Sequence, residues 1–113
     1  MLRKIECFVQ PSKLEALTAA LVGMNVDGMS VTEIRGFGRQ RGHVPADGEG
    51  GAPKFLPKLK IEIVVTEEMV EEAVRVIVQL ARTGTVGAGK VFVVPVEDAI
   101  RVGSGQKGYP AVK

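Results

Sequence analysis

Between Lys58 and Val65 the chain alternates without a break. Leu59, Ile61, Ile63 and Val65 fall on one side, and Lys58, Lys60, Glu62 and Val64 on the other. Successive side chains of a strand point to opposite faces, so this run reads as a strand with one dry face and one mixed face. The period then changes with no linker. Thr66 stands as a cap, and Glu67, Glu68, Glu71 and Glu72 crowd the first turns, the favourable end of a helix dipole for carboxylates. Val70, Val74, Ile77 and Ala81 recur at helical spacing, and Gly84 closes the helix. Val91–Val96 is a further strand, apolar on both faces, with Pro95 marking an edge or a bulge.

The first half of the chain repeats that grammar. Lys4–Val9 alternates polar and apolar residues and reads as a strand ended by Pro11. Ser12-Lys13-Leu14-Glu15 has the form of a capping box, in which the Ser12 hydroxyl accepts a backbone N–H while Glu15 reaches back. Leu14, Leu17, Leu21 and Met24 predict a one-faced helix to about Asn25, Asp27-Gly28 a turn, and Met29 to Phe37 a second strand. The order strand–helix–strand–strand–helix–strand is the ferredoxin-like split arrangement, an α+β sandwich. With 113 residues, a single domain spanning 1–113 is expected. Two helices cover only one face of a four-stranded sheet. The other face carries Val64 and half of Val91–Val96, which water disfavours, so burial against copies of the same chain is expected.

Residues 38–54 interrupt the regular pattern. They hold six glycines and prolines between Gly42 and Pro53, no aromatic residue, and Asp47 and Glu49 near the tip. A long connection without periodicity inside a compact domain is usually functional or disordered, and it is read as a mobile loop between the second and third strands. The tail 101–113 is short, and Gly103–Gly108 reads as flexible. Composition excludes several classes. A net charge of +2 and 4% aromatic residues give no basis for nucleic-acid binding. The longest apolar runs are strand-length, which argues against insertion into a membrane. The amino terminus has no apolar signal core and Cys7 is the single cysteine, so the cytoplasm is expected.

Chemistry concentrates in Thr83-Gly84-Thr85-Val86-Gly87-Ala88-Gly89-Lys90, between the second helix and the last strand. Its glycines let backbone N–H groups approach phosphate oxygens, and Lys90 supplies charge. The start of a Walker A pattern is present, but Val91 stands where Ser or Thr would hold magnesium, and a strand follows where a P-loop needs a helix. A plain helix-to-strand turn accounts for the glycines alone equally well. Gly36-Phe37-Gly38-Arg39-Gln40-Arg41-Gly42-His43 places two arginines at the root of the long loop, where an anion could be met. Lys58, on the same strand face as Glu62, has the commoner reading of an exposed lysine. His43 is solitary and no metal-binding spacing is present. Cys7 reads as a small core residue rather than a nucleophile, and no Ser/His/Asp set or carboxylate pair offers a catalytic arrangement.

Three stretches together resemble the PII family of nitrogen and carbon signalling proteins: Val31 to His43, Phe55 to Val65, and Thr83-Gly84 through Lys90 to Val93. The resemblance runs through nearly the whole chain. It implies a non-enzymatic homotrimer that binds ATP or ADP in three clefts between subunits and acts on a transporter or enzyme through the long loop, called the T-loop. Gly87, Ala88, Gly89 and Lys90 would contact phosphates, joined by Gly38, Arg39 and Arg101. Gly28, Ser30, Glu62 and Val64 match positions at the adenosine end. In that family ATP with Mg²⁺ creates a site for 2-oxoglutarate; Gln40 would ligate the metal and Lys58 would pair with a carboxylate.

The chain departs from the family pattern in ways that bear on function. Val44–Lys54 holds no Ser, Thr or Tyr, so no covalent switching at the loop is expected, and its tip lacks the arginine that enters an ammonium channel in relatives. Ala88 stands where an acidic residue is common, Gly103 where a second phosphate-contacting arginine is usual, and Gln10 where some relatives carry a basic residue near the oxoacid. Two readings follow: a nitrogen regulator sensing ATP, ADP and 2-oxoglutarate, or a divergent branch reading adenylates with another small anion such as bicarbonate, in inorganic-carbon or carboxysome-linked regulation. From other classes, a phosphotransfer enzyme lacks a nameable base. An RNA-binding ferredoxin-like domain lacks aromatics on Leu59–Val65.

Overall fold

The computed structural model describes residues 1–37, 54–84 and 89–113. Its elements follow the expected order: β1 Leu2–Val9, α1 Leu14–Gly23, β2 Ser30–Gly36, β3 Leu56–Thr66, α2 Glu67–Ala81, β4 Gly89–Val96 and a short α3, Tyr109–Val112. The strands form one sheet in the order β2-β3-β1-β4, and every neighbouring pair is antiparallel. This is the ferredoxin-like βαββαβ architecture. The expected 38–54 loop lies outside the described residues except for Lys54.

Alternation along β1 and β3 decides what is buried. Ile5, Cys7 and Val9 from β1 join Leu59, Ile61, Ile63 and Val65 from β3, and all of them meet Leu17 and Leu21 of α1 and Ala73, Ile77 and Ala81 of α2. Burying a Val, Leu or Ile side chain is worth roughly 1.5–3 kcal/mol, so this layer carries most of the fold's stability. The α2 stripe differs from expectation in one respect. Val70 and Val74 are only half-buried, while Ala73 is fully enclosed. A small residue at that position lets the helix backbone approach the sheet, and hydropathy alone does not flag it.

Both helix starts differ from a side-chain cap. Pro11–Lys13 forms a 3₁₀ turn, closed by the Lys13 N–H donating to the Gln10 carbonyl at 3.0 Å, so Ser12 sits inside the turn and no capping box forms. Pro11 presets the backbone angle of that turn and draws the chain into it too early for Ser12 to cap. Thr66 does occupy the N-cap of α2, but without a side-chain hydrogen bond. β3 runs straight into the helix, and the Glu67 N–H donates instead to the Met1 carbonyl at 2.9 Å. An ion pair between Arg3 and Glu67 at 3.2 Å ties the same corner.

The prolines fall where a sheet tolerates them. Pro95 lies in β4, an edge strand paired only with β1. Pro57 lies beyond the β1 ladder, which ends at Val9 opposite Leu59, so only β2 flanks it. At the other end of the chain the structure corrects the reading of a loose tail. The Arg101 N–H donates to the Gln106 carbonyl and the Gly105 N–H to the Arg101 carbonyl, each at 2.8 Å, and Ile100 bridges Lys107. Gly105 and Gly108, with φ of 74° and 73°, provide the left-handed positions this turn requires.

Candidate functional site

The open face of the sheet is assembled from the residues the core rejects. Cross-strand register sets Ser30 beside Glu62, Glu62 beside Glu6, and Glu6 beside Phe92; the next rows bring Lys60 beside Phe8 and Lys4 beside both Val64 and Val94. At the centre four charges alternate in sign. Lys4 Nζ lies 3.2 Å from both Glu6 Oε2 and Glu62 Oε2, and Lys60 Nζ lies 3.6 Å from Glu6 and 3.9 Å from Glu62. The hydrogen bonds from Lys4 hold the Glu6 carboxyl below the usual carboxylate range, and the two glutamates raise the Lys4 ammonium. Phe8 and Phe92 flank the quartet edge-to-face, with centroids 5.8 Å apart. Phe92 remains 49% exposed, a large apolar surface for a single chain to leave in water.

A cleft of about 440 Å³ opens where β2 begins and β3 ends. Gly28, Ser30, Glu62, Val64 and Arg101 all line it, five of the positions singled out from sequence. The volume falls within the range of small-molecule sites, roughly 300–1,000 Å³. Charge and apolar surface are both on hand: Glu62 is held by Lys4, Val64 offers a flat aliphatic wall, and Arg101 supplies a permanent cation. Sequence reasoning missed three contributions here. Lys4 lines the cleft from β1, Asp27 and Met29 from the stretch that leads into β2, and α3 closes the cleft from the carboxyl-terminal side. Lys4 was legible, since it alternates onto the same face as Glu6; the return of α3 over the sheet left no local signal.

The remaining candidates lie elsewhere. Lys58 pairs with Ile34 across β2 and β3, away from the cleft, and Gly89 and Lys90 begin β4 on the far edge of the sheet. Gly89 is there for a structural reason: its φ is +120°, and a Cβ would fall 1.8 Å from the Phe8 carbonyl oxygen. Only glycine lets the chain enter β4 at this approach, and Lys90 follows, exposed, at the strand's start. Gly38, Arg39, Gln40, Gly87 and Ala88 lie outside the described residues.

Burial pushes the Cys7 thiol up to about 11, which keeps it a neutral core group. Among the described residues no three His, Cys, Asp or Glu side chains gather as a metal site, and no helix is long and apolar enough to cross a membrane.

Comparison with known proteins agrees with this fold. A family model described as "Nitrogen regulatory protein P-II" matches residues 2–106. The chain is 47% identical over 112 residues to the nitrogen regulatory protein P-II of Cereibacter sphaeroides, covering 98% of this chain and 100% of that protein. It is 44% identical to those of Azospirillum brasilense and Nostoc punctiforme, with the same coverage. Among solved structures, Arabidopsis thaliana PII bound to citrate is similar with a TM-score of 0.81 at 38% identity, covering 99% of this chain and 90% of that one.

Proposed function

The chain belongs to the nitrogen regulatory protein P-II family, whose members are regulatory signal transducers of nitrogen metabolism rather than enzymes, and we propose that it works as a homotrimer that reads ATP and ADP in clefts between subunits. In this reading Gly28, Ser30, Glu62 and Val64 receive the nucleoside, and Arg101 faces the phosphates. Gly87–Lys90, with Gly38 and Arg39, supply the rest of the phosphate cradle.

The observation that carries the reading is where those residues fall on one chain. Ser30 lies on β2 and Lys90 on β4, the two opposite edges of the sheet, with β3 and β1 between them. Three strand spacings, about 14 Å, separate their strands. The face between them is filled by the Lys4–Glu6–Lys60–Glu62 quartet. A nucleotide bridging the two groups within one chain would have to lie across that quartet and displace its ion pairs. A second copy, bringing its own β4 edge to the first copy's cleft, completes the site without disturbing it. The same contact would cover Phe92 and Val94.

A carboxylate effector fits the same reading. The Arabidopsis relative is bound to citrate, and Lys58 offers a cation of the kind a dicarboxylate needs. Bound ATP would bring Mg²⁺ with it, held by phosphate oxygens and Gln40, because magnesium prefers oxygen ligands. That assembly would complete a site for 2-oxoglutarate, and the T-loop would report its occupancy to a partner protein. Gly103 favours a second reading: with no side chain where relatives place a second arginine, fewer cations face the phosphates, which suits a divergent adenylate sensor using bicarbonate. Titration calorimetry with ADP, ATP, and Mg-ATP plus 2-oxoglutarate or bicarbonate separates the two. Tight 2-oxoglutarate binding only in the presence of Mg-ATP supports the first reading, bicarbonate binding supports the second, and no heat with either nucleotide rejects both.

A further inference from the structure

Arg101 has a partner already. Its Nη2 donates to the Lys113 carbonyl at 2.7 Å, with the Pro110 carbonyl at 3.5 Å, so the end of α3 is drawn over the cleft by the guanidinium expected to meet phosphate. Ala111, Val112 and Lys113 line the cleft as a result. The tail is shaped to return there. The turn closed between Arg101 and Gln106, the Ile100–Lys107 bridge and the Gly108 N–H donating to the Ala99 carbonyl at 2.9 Å send the chain back toward β3.

A guanidinium grips a phosphate best through two nitrogens at once. With Nη2 taken by α3, the end-on fork is closed. A phosphate offers several anionic oxygens where α3 offers one close acceptor, so a phosphate can win the exchange, but part of its binding energy goes into the displacement. A ligand with no phosphate has no claim on Arg101. We propose that α3 is a built-in competitor for Arg101 that makes the cleft discriminate between ligands: nucleoside polyphosphates expel α3, whereas an unphosphorylated nucleoside binds with α3 in place. This rests on the nucleotide reading of the cleft and adds to it a determinant of selectivity and a conformational output at the carboxyl-terminal end.

Tyr109 makes the output measurable. It is the only tyrosine, and the chain has no tryptophan, so intrinsic emission comes from the first residue of α3. The experiment is a titration of the full chain with adenosine and with ADP, followed by tyrosine anisotropy and calorimetry, and the same calorimetry on a chain ending at Gly108. ADP is expected to lower the Tyr109 anisotropy while adenosine leaves it unchanged. The shortened chain is expected to bind ADP about tenfold more tightly, with adenosine affinity unaltered, as for release of one charge-assisted hydrogen bond. If ADP binds the full chain with Tyr109 anisotropy unchanged, the proposal fails and the nucleotide reading stands, whatever the shortened chain does. If ADP binds neither chain, the nucleotide reading itself fails and takes the competitor role with it.

Discussion

The two faces of the sheet are made by the same strands from alternate residues, yet they have opposite characters. Toward the helices, Ile5, Ile61 and Ile63 are no more than 2% exposed and no buried polar or charged residue occurs among the described residues. On the other side, one residue along, lie Lys4, Glu6, Lys60 and Glu62 in alternating ion pairs, with Phe92 and Val94 beside them. The first face is closed within one chain over β1 and β3, while Val31 and Val93 at its two edges stay 44% and 45% exposed. The second has charges arranged for mutual satisfaction and apolar groups arranged for none. Stability is written on the first side of the layer and the proposed function lies on the second, so substitutions on the two faces should fail differently.

The largest expected effect is on the closed face. Ile77→Ala removes a fully buried side chain at the meeting of α2 and the sheet and should cost about 2–5 kcal/mol in urea unfolding. Gly89→Ala comes next. It combines a left-handed backbone with a Cβ driven into the Phe8 carbonyl, so at least about 1–3 kcal/mol should be lost as the β1–β4 pairing gives way. On the open face, Phe92→Asp should leave the monomer fold intact by circular dichroism but abolish self-association, since it exchanges an apolar contact for a carboxylate beside Glu6. Unchanged oligomer mass for that variant would mean the open face is not the contact.

Smaller effects separate the ligand groups. Lys90→Ala, on an exposed position, should change stability by no more than about 0.5 kcal/mol. It should weaken ADP and ATP together by roughly ten- to hundredfold. Lys58→Ala should spare ADP and weaken only the carboxylate effector; equal loss of both would contradict the assignment. The smallest effect is the pH dependence of the quartet. Glu6 is depressed in the folded state, so its contribution holds above the ordinary glutamate range and is lost as pH falls through the folded value. Lys4 is raised, so its contribution holds below the ordinary lysine range and is lost only as pH climbs beyond it. Melting temperature should therefore be flat near neutrality, and Glu6→Gln should flatten the acid limb.

The contrast also explains what could be read from sequence. Alternation in Lys58–Val65 set the two faces of β3 correctly, because a period of two survives any tertiary context that buries one side. The register that puts Ser30, Glu62 and Glu6 in one row was not legible, since it depends on pairing between distant segments. Hydropathy passed over Ala73, whose importance is its small size at a close approach. The Ser12 capping box was locally persuasive and was overridden by Pro11. Gly28, Ser30, Glu62, Val64 and Arg101 were named from motif resemblance, and the fold gathers them in one cleft; the part played by α3 could come only from the tail's return path.

Sedimentation velocity of the purified chain, with and without ADP, addresses the open face most directly. One species near three times the chain mass of 12.0 kDa is expected, because in the proposed reading neighbouring copies cover Phe92 and bring Lys90 to the cleft. A species that stays at 12.0 kDa under both conditions would contradict it.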